Sequence, residues 1–539
     1  MKSNLFAAGA LMMYGSYAAT ANTTSPRYVL PEVPLVQNVH PIFTVGDVVG
    51  GYRMVGIPDG MGVRAAGKNA FTLYVNHELT QANGVVRAHG SKGAFVSEWL
   101  MQPTLGANNA IAVDVQSGAD SILTIQDWDD VNGGYYTVVP STNPLRGAFS
   151  RFCAAYLAGP HDGFDAWMFL TGEETGGTDT MDGVQGGQAF AVIDDVAHAL
   201  PRLGRFSHEN QVVVPGTGMK TLVIGLEDGS GLDSQLYFTV GTKVPASADV
   251  LERNGLSNGD LYVMRVQGIT TEDQFTTVGL AIPFTMQPVN WALTGSALET
   301  ASDAASATGF ARIEDGEYDP NNYADFYFDT TGNGTLGSPL RNGRLYRLTF
   351  NDLSNPVAGG TITMLLDGSE GMVSPDNLGI NAHGQMLINE DPNYTLVGRD
   401  ASIWLYDIPT GNFNRVMEMD TALAQSLDPA YTNGKWETSG VIDASSVIGE
   451  GWWLFNVQAH YNLPDVELVQ GGQVLAAKIA TTLPLGDTSG DGTVNVIDLL
   501  RVINQWGPCP GSGPCTADLN NSGTVDVADL LMVVDHWSF

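Results

Sequence analysis

Five short stretches of the chain place acidic or histidine residues beside apolar, strand-like runs. They are Asn76-His77-Glu78, Gly172-Glu173-Glu174, Arg205-Phe206-Ser207-His208-Glu209, Arg312-Ile313-Glu314-Asp315 and Ser374-Pro375-Asp376-Asn377. Only 15% of the residues are charged, so carboxylates at strand ends are not simply part of a solvated surface. If these stretches converge on one point, their side chains would bind hard metal ions.

Glu173 and Glu174 are the strongest individual candidates for metal binding, because the apolar run Phe169 to Thr171 leads directly into them. Two buried carboxylates without compensation would be costly, and a bound cation would relieve that cost. The alternative for any one stretch is structural, since acidic residues also satisfy local hydrogen bonds in turns. Arg205 and Arg312 could likewise form internal ion pairs or clamp an anion through two hydrogen bonds.

Charge and composition exclude some classes of function. The chain has 539 residues, of which 43% are hydrophobic, and its 58 acidic and 24 basic residues give a net charge of -34. This charge repels nucleic acid, which we therefore do not expect as a partner. An anionic substrate would also be repelled unless bound cations reversed the local field.

The N-terminus and the cysteines indicate export. Met1 to Ala21 has the pattern of a signal peptide, with Lys2, an apolar run and Ala19-Thr20-Ala21 as the cleavage site, although a buried N-terminal element is the alternative. No later apolar run is long enough for a membrane span. In an oxidising compartment we expect Cys509 and Cys515 to pair, while Cys153 is interpreted as a buried apolar residue.

Between about Ser25 and Ala480 the sequence alternates many short strand patterns with Gly, Asn, Asp and Pro turns, and helical periodicity is scarce. So many strands exceed one small barrel or sandwich. Radial repetition of small sheets accommodates them without long exposed edges, which predicts an all-β body folded as a β-propeller. We place the body at residues 25–480, a linker at 481–485 and a separate module at 486–539.

The C-terminal module contains two copies of a calcium-loop pattern, 31 residues apart. Oxygen ligands at loop positions 1, 3, 5, 7, 9 and 12, with Gly at 6, are typical of calcium loops. The two predicted ligand sets are Asp487, Ser489, Asp491, Thr493, Asn495 and Asp498, and then Asp518, Asn520, Ser522, Thr524, Asp526 and Asp529. Each loop leads into an amphipathic helix, as in a small EF-hand-like α-helical module.

This segment resembles a type I dockerin, in which paired loop-helix repeats also end in Asp. The resemblance implies calcium-dependent folding and a cohesin-like receptor. It would attach a secreted or extracytoplasmic protein to a scaffold or cell surface. A calcium-stabilised tail without a partner is the alternative.

The body resembles the PhoX family of secreted alkaline phosphatases in the order and the amino-acid sequence of its polar stretches. The matching segments are those above together with Leu170-Thr171, Leu203-Gly204 and Val457-Gln458-Ala459-His460. The resemblance implies a six-bladed propeller with an axial iron and calcium cluster that removes phosphate from monoesters. It implies metal binding by Glu78, Glu173, Glu174, Glu209 and Glu314, and a phosphate clamp at Arg312, assisted by Arg205.

Two departures from the family pattern bear on the cofactor. A family cysteine that binds iron is replaced by Gly172, and the signal sequence lacks a twin arginine. Both favour calcium over iron in the body. His208 or His77 could move a proton to the leaving group, although a structural role is the alternative for each.

The sequence leaves two other functions open. One is a non-catalytic, calcium-stabilised propeller that binds a glycan or a protein. The other is a calcium-centred propeller that hydrolyses phytate, a phosphodiester or a lactone.

Overall fold

A computed structural model of the protein describes residues 23–105, 111–140, 146–392, 398–509, 515–520 and 522–538. The predicted signal peptide, residues 1–21, lies outside the described residues. Within them, none of the helices combines the length and the apolarity needed to cross a bilayer.

The body is built from six blades of β-strands, called blades 1 to 6 in chain order and preceded by four N-terminal strands. The N-terminal strands are β1 (Val29–Pro31), β2 (Val36–Thr44), β3 (Val48–Val49) and β4 (Tyr52–Arg53). Blade 1 contains β5 (Pro58–Ala65), β6 (Phe71–His77), β7 (Phe95–Leu105) and β8 (Ile111–Asp120). Blade 2 contains β9 (Thr124–Trp128), β10 (Tyr135–Thr137), β11 (Tyr156–Ala158), β12 (Met168–Gly172), β13 (Ala189–Ile193) and β14 (Val196–Ala199).

Blades 3 and 4 share one nine-stranded sheet because their outer edges pair through β19 and β23. Blade 3 contains β15 (His208–Val214), β16 (Lys220–Glu227), β17 (Leu236–Thr242), β18 (Asp260–Val266) and β19 (Ala281–Val289). Blade 4 contains β20 (Ile313–Asp319), β21 (Asn322–Thr330), β22 (Arg344–Phe350) and β23 (Gly360–Leu366).

Blades 5 and 6 complete the ring. Blade 5 contains β24 (Pro375–Ile380), β25 (Gln385–Glu390), β26 (Ser402–Asp407) and β27 (Asn412–Met419), and blade 6 contains β28 (Glu437–Asp443), β29 (Trp452–Asn462) and β30 (Gln470–Ile479). The N-terminus closes the ring, because β2 pairs with β30 and β1 adds to β27. The predicted β-propeller is therefore confirmed.

Apolar side chains fill the spaces between neighbouring blades. Between blades 6 and 1, for example, the buried rings of Phe43 and Trp99 lie 4.8 Å apart within one cluster that also contains Trp452. Equivalent clusters lie at other blade interfaces. Many of these strands are buried along their whole length, including β12, β13 and β15. The packed interfaces hold the innermost strands in fixed positions around the axis.

Helices are few in the body. In the described part of the body the α-helices are α1 (Val250–Arg253), α2 (Gly295–Ala304) and α3 (Thr421–Leu427). The C-terminal module contains α4 (Val496–Asn504), β31 (Gly507–Pro508), β32 (Thr524–Val525) and α5 (Val527–Asp535). Asn495 and Asp526 cap the two module helices in the same way, as the duplicated sequence requires. Cys509 and Cys515 are joined by a disulfide with a Cα separation of 5.6 Å.

Candidate metal centre and phosphate site

Acidic residues lie at the amino-terminal ends of the strands that surround the axis. The innermost strands are β5, β11, β15, β20, β24 and β28. In β5, β15, β20 and β24, the pairing with the next strand shifts register at or beside an acid: Asp59, Glu209, Glu314 and Asp376. A β-bulge of this kind redirects a side chain that regular alternation would send elsewhere. The bulges thus aim carboxylates from several blades at one place.

We call this place the acidic mouth. Its members are Asp59, Glu78, Cys153, Glu174, Glu209, Asp228, Glu314, Asp376, Asp391 and Glu437. Three overlapping trios have potential ligand atoms within 4.8 Å of one another: Asp59, Glu78 and Cys153; Cys153, Glu174 and Glu209; and Glu209, Asp228 and Glu314. Because the trios share members, one continuous group of ligands extends across the axis.

The electrostatics of the acidic mouth fit cations. Burial, followed by the charges of Glu174 and Glu314, raises the pKa of Glu209 well above its usual range. Burial and the neighbouring Glu78 raise the pKa of Asp59 to about 7. One buried oxygen on each of Asp59, Glu209 and Asp376 has no hydrogen-bond donor. Clustered carboxylates with unmatched acceptor atoms are the donor set expected for calcium and other hard ions, and a thiol adds a softer ligand.

Two arginines border the acidic mouth. Arg312 makes two hydrogen bonds to Asp228, of 2.9 Å from Nε and 2.7 Å from Nη2, and its Nη2 lies 3.1 Å from Glu314. Arg151 pairs with Glu78 through Nε at 2.9 Å and with Glu174 through Nη2. Their side chains are 42% exposed for Arg151 and 40% for Arg312, so each guanidinium retains an open face. Both could bind a phosphoryl oxygen next to the metal ligands.

Backbone strain recurs at the same position of several blades. Ile57, Arg151, Arg312 and Ser374 all have positive φ angles, from 47° to 63°. The residue two positions later is a member of the acidic mouth in every case: Asp59, Cys153, Glu314 and Asp376. Left-handed backbone at residues other than glycine is unfavourable and concentrates at functional sites. Here the strained residue turns the chain into the axis immediately before the ligand.

Asparagines on the second strands hold adjacent blades together at this level. Asn76 donates to the carbonyl of Cys153 at 2.7 Å, and Asn456 donates to the carbonyl of Asp59 at 2.6 Å. Asn389 donates in the same way to Ser439. Each bond links the second strand of one blade to the inner segment of the next blade. The backbone that carries the candidate ligands is therefore held in place by the neighbouring blade.

Two cavities open at the acidic mouth, one lined by Asp228 and the other by Arg312. The first, of about 480 Å³, is lined by Arg151, Glu174, Ser207 and Asp228 among others. The second, of about 700 Å³, is lined by Arg312, Thr331, Ser374 and Asp391 among others. A small phosphoester can reach the carboxylates from either cavity.

The structure brings five of the predicted residues together. Glu78, Glu174, Glu209 and Glu314 are members of the acidic mouth, and Arg312 lies at its rim. Sequence reasoning missed Arg151 and the acids Asp59, Asp228, Asp391 and Glu437, and it did not assign Asp376 as a ligand. A signal was available, because Arg151-x-Cys153 repeats the spacing of Arg312-x-Glu314, and Ile57-Pro58-Asp59 resembles Ser374-Pro375-Asp376.

The prediction for Glu173 is corrected. Its carboxylate accepts hydrogen bonds from the backbone N–H groups of Ser150 and Met181, at 3.2 and 2.7 Å, and it lies apart from the ligand trios. Adjacent residues of an extended chain point in opposite directions, so only Glu174 can face the axis. Glu173 instead satisfies buried backbone donors of blade 2.

The roles predicted for Arg205 and His208 are also corrected. Arg205 is paired with Asp182 at 2.7 Å and is 7% exposed, away from the described metal ligands. His208 is fully buried, with its ring nitrogens near the carbonyl of Gly204 and the amide of Gln211. Burial lowers the pKa of His208 to about 3. Both residues support blade 3, and neither can reach a phosphoryl group at the axis.

The structure separates position 172 from the thiol at the axis. Gly172 faces the side chain of His208, and a Cβ at position 172 would lie 2.4 Å from that of His208. The thiol at the axis comes from Cys153, which is buried and donates to Asp59 at 3.1 Å. Cys153 is thus not merely an apolar core residue. The absence of a cysteine at position 172 is no longer an argument against a metal-bound thiolate.

The two predicted calcium loops have matching internal geometry. The carboxylate at position 1 accepts a hydrogen bond from the glycine N–H at position 6, at 2.7 Å in both Asp487 and Asp518. The carboxylate at position 12 accepts from the N–H at position 3, at 2.7 Å for Asp498 and 3.2 Å for Asp529. Both loops therefore gather the oxygens that calcium requires.

Comparison with known proteins gives two family matches. Residues 194–434 match the family model described as Alkaline phosphatase PhoX, and residues 485–536 match the type I dockerin domain. No curated protein sequence matches the chain.

Among solved structures, PhoX from Pseudomonas fluorescens, in complex with the transition-state analogue vanadate, is similar in fold. The TM-score is 0.55 at 15% identity, and the match covers 86% of this chain and 97% of that chain. The propeller domain of the Trilobed protease from Pyrococcus furiosus has a TM-score of 0.23 at 7% identity, covering 75% of this chain and 79% of that one. The family match supports the prediction of a metal-dependent phosphatase. Two similarities therefore stand: residues 194–434 resemble the PhoX alkaline phosphatases, and residues 485–536 resemble the type I dockerins.

Proposed function

We propose that the protein is a secreted, metal-dependent phosphomonoesterase that acts at the acidic mouth and is attached to a cohesin-like receptor through its dockerin. The observation that carries the proposal is the convergence of carboxylates from different blades, together with one thiol, beside two half-exposed arginines. Such a site has no evident use in a purely structural propeller.

In this proposal the metals are held by the carboxylates of the acidic mouth, with Cys153 as a thiolate ligand. Bound cations would neutralise the carboxylates, bind phosphate oxygens and activate the attacking oxygen. Calcium suits the carboxylate oxygens. Iron suits the thiol, so a mixed cluster agrees with the donor atoms present.

In this proposal Arg312 and Arg151 bind the phosphoryl group. Each guanidinium is held by two acids of the mouth and so is oriented before substrate arrives. Their open faces would donate to phosphoryl oxygens and stabilise the charge that develops on them. The carboxylates hold the arginines as well as the metals, which couples substrate binding to the integrity of the centre.

The predicted proton shuttles do not contribute in this proposal. His77 and His208 are both fully buried and bonded within the body, and burial lowers the pKa of each to about 3. We therefore assign proton transfer to the leaving group to solvent in the cavities. This agrees best with leaving groups that need little protonation, such as phenolates.

The test is hydrolysis of p-nitrophenyl phosphate by the full-length protein, measured before and after treatment with a strong chelator. We expect activity to be lost on chelation and recovered with calcium, iron or both. Elemental analysis of the purified protein identifies the resident metals. Activity that survives complete removal of metal would reject the proposal.

The dockerin part has its own test. Binding of the full chain to immobilised type I cohesins should require calcium and should disappear with Asp487→Ala and Asp518→Ala together. Binding to no cohesin in a panel would leave the module without the proposed receptor.

A further inference from the structure

The two repeats of the dockerin differ in how they contact the body. The first loop lies against blade 5: Asn414 donates to the carbonyl of Ser489 at 2.9 Å, and Arg501 donates to the side-chain oxygen of Asn412 at 2.7 Å. Thr488 and Ser489 are only 2% and 5% exposed. In the second loop, Asn520, Ser522 and Gly523 are exposed.

Arg501 joins three parts of this contact. Its Nη1 atom also donates to the carbonyls of Thr488 and Ser489, at 2.7 and 3.1 Å, so it connects helix α4, the first loop and the body. Hydrogen bonds from a charged donor contribute more than neutral ones. The contact therefore depends on a residue inside the calcium-binding repeat.

Glycines allow the close approach. A Cβ at Gly492 would lie 2.6 Å from the backbone nitrogen of Leu35, and one at Gly490 would lie 3.1 Å from the amide nitrogens of Asn412 and Asn414. Gly492 is required by the loop itself, since it has a positive φ of 89°. Gly490 also has a positive φ, of 80°, whereas the second repeat has Asn521 at the equivalent position in the sequence.

The duplication also distinguishes Arg501. The residue 31 positions later is Met532, so the cation that binds the body occurs only in the first repeat. Two of the positions that differ between the repeats, Gly490 and Arg501, fall on the surface that meets blade 5. The first repeat is therefore adapted to an intramolecular contact that the second repeat does not make in the described residues.

We propose that the first calcium loop is an interface that locks the dockerin onto blade 5, so that the module is presented to its partner in a fixed orientation rather than on a flexible tether. Calcium binding orders the loop whose carbonyls meet Asn414 and Arg501. Calcium affinity at this loop and attachment to the body must then strengthen each other. The inference does not depend on phosphatase activity.

The fixed orientation leaves the apolar helix surface available. Residues that are about half exposed on α4 and the turn after it are Val496, Ile497, Leu500, Ile503 and Trp506, and those on α5 are Val527, Leu531 and Val534. None of them contributes to the hydrogen bonds with blade 5. The module can thus be held at one end and bind a partner through its helices.

The experiment measures the distance between two spin labels in the full chain with calcium. The labels are placed on the exposed residues Ser354 and Asp535, neither of which is a predicted calcium ligand, by Ser354→Cys and Asp535→Cys. We expect one narrow distance distribution, which broadens when calcium is removed. A broad distribution in the presence of calcium would overturn the proposal.

A body-side variant shows whether the contact itself is responsible. Asn412→Ala with Asn414→Ala leaves the sequence of the module intact and should broaden the distribution and weaken calcium binding at the first loop about tenfold, the expected size for losing hydrogen bonds of this kind. Arg415→Met is the matched control, because Arg415 lies on the same strand but pairs with Glu32. A distribution that stays narrow in the double variant, or broadens equally in the control, would contradict the proposal.

Discussion

The two ends of the propeller axis are built from the same innermost strands but have opposite character. At the amino ends lies the acidic mouth. At the carboxyl ends lies the apolar mouth, a cavity of about 430 Å³ whose lining includes Met61, Val63, Leu157, Leu378, Ile380, Val441 and Ile442, with Asp315 and Glu317. One strand can therefore contribute a metal ligand at one end and an apolar wall at the other.

Glu314 and Asp315 illustrate what separates a ligand from a structural carboxylate. Asp315 accepts hydrogen bonds from Asn210 at 2.6 Å, Gly316 at 2.7 Å and Leu378 at 3.2 Å. Glu314 faces Arg312 and other carboxylates, whose repulsion adds to burial in raising its pKa. A buried carboxylate surrounded by donors needs no cation, whereas one surrounded by carboxylates does.

The largest expected effect comes from removing a ligand at the acidic mouth. Glu314→Gln should lower kcat/KM for p-nitrophenyl phosphate by about 10³-fold, because a charged ligand beside Arg312 is lost. The measurement is steady-state kinetics together with the metal content of the purified variant.

The matched control is Glu317→Gln, three residues further along the same strand, at the apolar mouth. Its activity should stay within about twofold of the unmodified protein, because the substitution is isosteric and distant from the ligands. Equal losses in the two variants would mean that the difference between the mouths has no catalytic meaning.

The next effect concerns the arginines. Arg312→Lys and Arg151→Lys should each lower kcat/KM by about 10- to 100-fold, because an ammonium cannot reproduce the paired hydrogen bonds of a guanidinium. Arg205→Lys, in the pair with Asp182, should have little effect. If Arg205→Lys matched the other two, the phosphate site would lie closer to blade 3 than we propose.

Cys153→Ser tests the thiol with almost no change in size. We expect about a tenfold loss of affinity for one metal and a changed visible absorption spectrum if that metal is iron. The spectrum and the elemental analysis are read on the same sample. If the metal content and the spectrum are unchanged, Cys153 is a core residue and does not bind the metal.

The smallest effect concerns stability near the apolar mouth. Asp162 accepts a 2.6 Å hydrogen bond from Tyr156, which lines that cavity, and burial raises the pKa of Asp162 to about 7. The folded protein thus binds this proton more tightly than the unfolded chain does, so stability should fall as pH rises from about 4 to about 7 and stay level above that.

Asp162→Asn should reduce this pH dependence and raise the Tm by a few degrees at pH 8 relative to the unmodified protein. Thermal unfolding followed at pH 5 and pH 8 measures the difference, and Asp260→Asn, at an exposed position, is the control. A pH dependence that is the same in all three proteins would exclude Asp162 as its source.

The sequence was sufficient for the architecture, because strand patterns and turns are local properties that the propeller repeats many times. It also selected Glu209 and Glu314 as candidates, and the structure places both in the acidic mouth. It could not distinguish Glu174 from Glu173, since the choice depends on which way an extended segment faces. The bulges in β5, β15, β20 and β24 could not be predicted for a similar reason. The register of a strand is set by its pairing with the neighbouring strand and not by its own residues alone.

Arg151 and Arg205 show a second limit. Each is followed at short distance by metal-ligand types, and only packing decides that Arg151 reaches the axis while Arg205 binds Asp182. The dockerin was easier to read because all ligands of each loop lie within 12 consecutive positions. Ligands that are contiguous in sequence can be predicted, whereas those assembled from different blades require the fold.

The closure of the ring by β2 has a consequence for biosynthesis. In the described residues β2 pairs with β30, so the first and last segments of the body must both be present before the ring is complete. A nascent or truncated chain that ends before Ile479 lacks a full partner for β2. Ring closure therefore comes late in synthesis, after the whole of β30 has been made.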